Sequence, residues 1–266
     1  MKTLILSGYG LNCEKETAHC CQKAGGKVDV IHTSLLIHEK IRLSDYQFMV
    51  FIGGFLDGDN LGAGRLGANR LKFTYLPEHS TYLQDEFAQF IEAGKLVLGI
   101  CNGFQVMVKM GILPATTQTI GMQELSLTNN RNGRFEDRWV NLKVNSKSSC
   151  VFTRGMESVY LPIRHGEGRI EASEELIRTL TNEQQIPLQY ATPEDQATEE
   201  FPYNPNGSPL GIAAISNKQG NVLGLMPHPE AFNHYTNHPH WTRLPHIRED
   251  GDGMAFFYNA YRYLQS

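Results

Sequence analysis

No stretch of the 266-residue sequence approaches the roughly 20 apolar residues that span a membrane. The apolar run behind Met1 ends at Leu6, too short for a signal peptide. Basic charge is not in excess: 24 Lys and Arg face 28 Asp and Glu, so the field that holds non-specific nucleic acid is missing. Cys-x-x-Cys spacing is absent, and the five cysteines are an odd number. That usage suits a reducing cytoplasm better than a disulfide framework. No repeat organises the 25 glycines and 12 prolines, which excludes collagen-like and low-complexity classes. With 41% hydrophobic residues the chain has ample material for a core, and the expectation is a cytoplasmic globular protein without membrane or nucleic-acid partners.

The first half alternates short apolar runs with helical patterns. Thr3–Gly8, Val28–His32, Phe48–Gly54 and Lys95–Ile100 read as strands, the third uncharged enough to be buried on both faces. Between them a helix capped by Asn12 is expected to run to about Ala24, and another, capped by Ser80, to end near Gly94. A third spans Phe104–Met110 and stops at Gly111. This alternation implies βαβ units and a parallel sheet. In the second half Trp139–Val144, Val159–Ile163, Leu188–Ala191, Gly211–Ser216 and Asn221–Met226 are strand-like, and Asn217–Gly220 is a hairpin signal. Helices are expected over about 174–184 and from Met254. No Pro/Ser-rich linker divides the halves, so residues 1–266 read as one α/β domain, a mixed, mostly parallel sheet flanked by helices. The stretches 54–77 and 230–252 read as long irregular loops.

Chemistry concentrates at Gly99-Ile100-Cys101-Asn102-Gly103, which follows an apolar strand and opens a helix. That is the setting of a nucleophile elbow. A helix N-terminus favours the thiolate, the nucleophilic form of cysteine, and the Asn102 N–H is placed to face an oxyanion. A nucleophilic thiol needs a base and the base an orienting group. His228, between Pro227 and Pro229 at the end of an apolar strand, has Glu230 two residues on. Cys101, His228 and Glu230 therefore form a candidate triad. The Gly53-Gly54-Phe55 turn is a candidate second source of oxyanion donors.

Together these elements resemble the class I glutamine amidotransferases, whose fold is flavodoxin-like. Gly53–Asp59, Gly99–Gln105, Arg134–Arg138, His165–Arg169, Asn204–Ser208 and Met226–Glu230 resemble one branch, the glutaminase component of phosphoribosylformylglycinamidine synthase. The resemblance covers essentially the whole chain. It implies that Cys101 attacks the side-chain amide of glutamine, that His228 passes protons and that Glu230 holds the imidazole. Backbone N–H groups at Gly54, Phe55 and Asn102 would hold the oxyanion, and Gln105, Arg134, Phe135, Glu136 and His165 would line the glutamine pocket. It further implies a synthetase partner, subunit or domain, that binds ATP and magnesium, with no cofactor or metal on this chain. Leu56-Asp57 stand where the branch commonly has Ser-Tyr, and Ala231 where Arg commonly follows His-Pro-Glu.

Other signals carry blander readings. Gly62-Ala-Gly-Arg-Leu-Gly67 fits a dinucleotide fingerprint, but no apolar strand leads into it. His234, His238, His240 and His246 are interleaved with prolines and read as a solvated loop rather than a metal site. Alternatives remain: the glutaminase of another synthetase, a cysteine hydrolase or redox-protective protein on a related fold, or a regulatory domain without thiol chemistry. The hydrolase relatives usually place His directly after the nucleophile, where this chain has Asn102.

Overall fold

A computed structural model describes residues 1–117, 120–244 and 249–266. The first half runs β1 (Lys2–Ser7), α1 (Glu14–Lys23), β2 (Lys27–His32), α2 (Thr33–Ile37), β3 (Phe48–Phe51) and α3 (Arg65–Phe73). A small pair, β4 (Tyr75–Leu76) and β5 (Thr81–Tyr82), leads into α4 (Leu83–Glu92), β6 (Leu96–Ile100) and α5 (Asn102–Met110). Then follow β7 (Ser126–Asn129), β8 (Glu136–Val144), β9 (Ser158–His165), β10 (Glu167–Glu171) and α6 (Glu174–Asn182). The chain closes with β11 (Leu188–Ala191), β12 (Ile212–Ser216), β13 (Val222–Leu225) and α7 (Met254–Gln265).

Among the described residues nine strands form the main sheet, in the order β2-β1-β3-β6-β13-β12-β11-β8-β9. The first five lie parallel and the remainder add on antiparallel, so the expected mixed α/β sheet is present. Apolar content sets the order. β3 and β6 are buried along their whole length, as central strands covered on both faces must be, whereas β2 at the edge is only half-buried. The 217–220 turn joins β12 to β13 in the register Ala214↔Leu225, Ser216↔Leu223. Among the described residues no helix is long and apolar enough to cross a membrane.

Several local expectations are corrected. α1 is not capped by Asn12: Cys13 takes the cap position at φ 71°, and the Asn12 N–H goes to the Gly53 carbonyl instead. α4 begins three residues beyond Ser80, where Asp85 accepts from the Tyr82 N–H and the Thr81 hydroxyl. The loop 54–77 contains α3, whose Gly67 sits against Leu56. Gly64, at the start of α3, abuts Val106 and Gln105 on α5, so the glycine-rich run serves helix packing. The polar pair β7–β10 was also unexpected, and it builds one wall of the site.

Parallel order brings the carboxyl ends of β1, β3, β6 and β13 to one edge, where open α/β sheets bind ligands. The elbow after β6 is held there by close packing. A Cβ on Gly103 would lie 2.0 Å from the Phe51 carbonyl oxygen, a fixed backbone atom. Gly103→Ala is expected to destabilise the fold by about 2–3 kcal/mol through overpacking. Urea unfolding tests it, and an unchanged midpoint would show that β3 and α5 yield freely.

Candidate active site

Cys101 sits between β6 and α5 with φ 51° and ψ −105°, a conformation that L-residues rarely adopt. Its N–H donates to the Leu225 carbonyl of β13 at 2.8 Å, which locks the turn to the neighbouring strand. The residue is 6% exposed, and its thiol donates to the Arg164 carbonyl at 3.5 Å. This is the elbow geometry that the glycine spacing leads one to expect.

His228 follows β13, and its N–H donates to the Pro162 carbonyl at 2.8 Å. Nδ1 stands 2.6 Å from Glu230 Oε1, with both side chains buried. Gly53 marks where ring and thiol meet. A methyl group there would lie 2.9 Å from His228 Cε1 and 3.7 Å from Cys101 Cβ, so only glycine leaves room for the pair. Burial alone would lower His228; the Glu230 carboxylate, with Cys101 and Cys13 added, outweighs it and holds the imidazole well above its ordinary value.

Beside Cys101 opens a cavity of about 220 Å³, with room for one amino acid. Gly54, Phe55, Gln105, Arg134, Phe135 and His165 all line it with Cys101. Not every expected residue faces it in the expected way. The Phe55 N–H donates to the Gly10 carbonyl at 2.8 Å and is therefore engaged in this structure, unlike the first-turn N–H of Asn102. Gln105 takes its place through its amide, which donates to the Glu167 carbonyl and accepts from Asn102 Nδ2. Asn102 Oδ1 in turn accepts from the Leu56 N–H at 3.0 Å. Glu136 is not on the cavity wall: its carboxylate takes hydrogen bonds from Asn132 and Arg138.

His165 is buried, and burial, with repulsion from His228 second, pushes it down to about 3, so it stays neutral. Asn130 spends its amide nitrogen on the Arg134 and His165 carbonyls, leaving Oδ1 to accept from His165 Nδ1–H at 3.0 Å. The His165 Nε2 lone pair is left without a partner. Sequence reasoning missed Asp59 and Glu167, which also line the cavity. One Asp59 oxygen is buried with no hydrogen-bond partner, and burial followed by the Glu167 charge raises its carboxyl. Both lie inside motifs that carry the resemblance, Gly53–Asp59 and His165–Arg169, although neither received a role there.

Among the described members of the His-rich segment, His234 Nδ1 stands 2.8 Å from Thr236 Oγ1. The His238 ring lies 5.3 Å from that of Tyr160 and 5.7 Å from that of Trp139, while His246 lies outside the described residues.

A family model for the CobB/CobQ-like glutamine amidotransferase domain matches residues 1–264. This chain belongs to that family. The phosphoribosylformylglycinamidine synthase subunit PurQ of Methanococcus maripaludis strain C7 is 45% identical over 230 residues, 86% of this chain and 81% of that relative. The same subunit of Dehalococcoides mccartyi is 40% identical over 265 residues, 100% of this chain and 98% of its own length, so the amidotransferase is not unusually long beside it. Among solved structures, a chain of PurLQS from Thermotoga maritima superposes with a TM-score of 0.72 at 27% identity, covering 99% of this chain and 98% of its own. The glutaminase domain of Trypanosoma brucei CTPS with bound acivicin shares the fold at a TM-score of 0.54 and 12% identity.

The raised His228 imidazole has a definite sign. The stability it contributes is complete below the ordinary imidazole value and fades as pH rises through the raised one. Glu230→Gln removes the carboxylate and should move the His228 titration down by about one pH unit or more. Histidine NMR titration reads it directly, and an unmoved midpoint would exclude Glu230 as the cause.

Proposed function

We propose that this amidotransferase hydrolyses glutamine through Cys101, His228 and Glu230 and delivers the ammonia to a phosphoribosylformylglycinamidine synthase partner. The observation that carries the reading is the meeting of Cys101 and His228 across Gly53, beside a cavity sized for one amino acid. The Cys101 thiolate attacks the side-chain amide carbon, and the oxyanion that forms is received by N–H groups at Asn102 and Gly54. His228 protonates the departing nitrogen, so ammonia leaves and a glutamyl thioester remains. The same imidazole then takes a proton from water, which attacks the thioester and frees glutamate and thiolate. Glu230, bonded to Nδ1, keeps the ring oriented and stabilises its charged form.

Charge on the cavity wall suits a zwitterion. Arg134 forms no ion pair among the described residues, whereas Asp59 and Glu167 supply negative charge to the same cavity. A substrate carrying a carboxylate and an ammonium group would pair with both signs. Free ammonia protonates and diffuses away in water, so the product is useful only to a site docked against this one. ATP, magnesium and the ribonucleotide substrate are assigned to that partner. It converts formylglycinamide ribonucleotide to formylglycinamidine ribonucleotide in purine biosynthesis. The runner-up, a cysteine hydrolase of other esters or amides, would not need opposite charges on one small cavity.

Cys101→Ser is expected to lower glutamine-dependent synthesis by the reconstituted complex at least about 10³-fold, while added ammonium salt still supports synthesis. Steady-state assays with each nitrogen source test this. Equal loss with both sources would place the defect outside the glutaminase step. Arg134→Ala should raise KM for glutamine about tenfold or more with a smaller effect on kcat, and an unchanged KM would remove Arg134 from the pocket.

A further inference from the structure

We propose that Cys13, His228 and Glu230 form a binding site for a soft divalent cation of the zinc(II) class, and that its occupation takes the imidazole out of the reaction. One ligand atom from each residue lies within 4.8 Å of the other two. Sulfur, imidazole nitrogen and carboxylate oxygen are the donor set that zinc prefers. Cys13 belongs to none of the motifs that build the elbow. It arrives because the β1–α1 turn is stitched to the glycine turn, with Asn12 N–H on the Gly53 carbonyl and Phe55 N–H on that of Gly10.

Two further atoms point to a missing ligand. Glu230 is 0% exposed, yet its Oε2 has no hydrogen-bond partner, and Nε2 of the buried His228 has none either. A buried carboxylate oxygen with nothing to accept from carries an uncompensated desolvation cost, which a cation would relieve. The Cys13 thiol lies on the accessible side, half-buried, and donates to Asn12 Oδ1 at 3.1 Å.

Occupation and catalysis exclude one another. The ring nitrogen without a partner is Nε2, the one left to pass protons in the reaction, and a cation held there takes its lone pair. As the metal bonds form, the Cys13 thiol and the charged imidazole each give a proton to solvent, and the freed sulfur and nitrogen lone pairs go to the metal. Nothing is oxidised or reduced. The inhibition rests on the proposed glutaminase reading, whereas the binding site does not.

The test uses the full chain, stripped of metal, and titrates zinc(II) against a chromophoric chelator and cobalt(II) by absorbance. Expected are one cation per chain and a thiolate-to-cobalt charge-transfer band in both the wild type and Cys101→Ser. Cys13→Ser should lose the band and weaken binding at least about tenfold. Cys13→His keeps a ligating atom and should bind without the band, which separates a lost ligand from a damaged fold. Glutamine hydrolysis by the wild type should fall in step with occupancy and return on adding chelator. No stoichiometric binding, equal loss in Cys13→Ser and Cys13→His, or a band that disappears in Cys101→Ser but survives in Cys13→Ser would overturn the site. A wild type that binds the cation but hydrolyses no glutamine even when metal-free would overturn the glutaminase reading and leave the site standing.

Discussion

The structure turns on a missing side chain. Three parallel strands end at the same edge of the sheet, and Gly53 leaves between them the space in which the His228 ring approaches Cys101. Any larger residue would push the imidazole off the sulfur. The surrounding architecture can be read as what keeps that space open and correctly bounded. β13 holds the elbow through the Leu225 carbonyl, β9 holds His228 through Pro162, and the β1–α1 turn clamps the glycine turn from the other side.

Electrostatics follow from burial of the same pair. His228 and Glu230 are both removed from water, so their mutual attraction is little screened and holds the imidazole charged to higher pH. His165, without a carboxylate of its own, is driven the opposite way by burial first and by His228 second, and stays neutral. Two histidines near one thiol thus acquire different properties from their partners alone. The neutral one offers a lone pair, and the charged one offers a proton.

Much of the fold was legible because the relevant signals are local. Apolar runs at 48–51 and 96–100 announce buried parallel strands, and glycines at 99 and 103 announce a tight turn between strand and helix. Leu83, Phe87, Phe90 and Ile91 announce one face of α4, all four buried. The misses share a physical cause. α3 carries glycines that resemble a loop in sequence but exist to pass Leu56 and α5 closely. β7 and β10 are polar and short, and they are strands only because each finds the other across almost forty residues. The caps fell one and two residues later than Asn12 and Ser80, at Cys13 and at Tyr82, whose N–H is taken by Asp85.

The sequence by itself determined the βα alternation, the strained position of Cys101 and the pairing of His228 with Glu230, since each is written in consecutive or nearly consecutive residues. Family membership was legible for the same reason, as ordered motifs along one chain. Only the tertiary structure decided that the Phe55 N–H is engaged by Gly10, that Glu136 turns toward Arg138, and that Asp59 and Glu167 face the cavity. It alone placed Cys13 beside the His228–Glu230 pair. These contacts join residues from different strand ends, and strand order, which no local pattern encodes, sets which ends become neighbours.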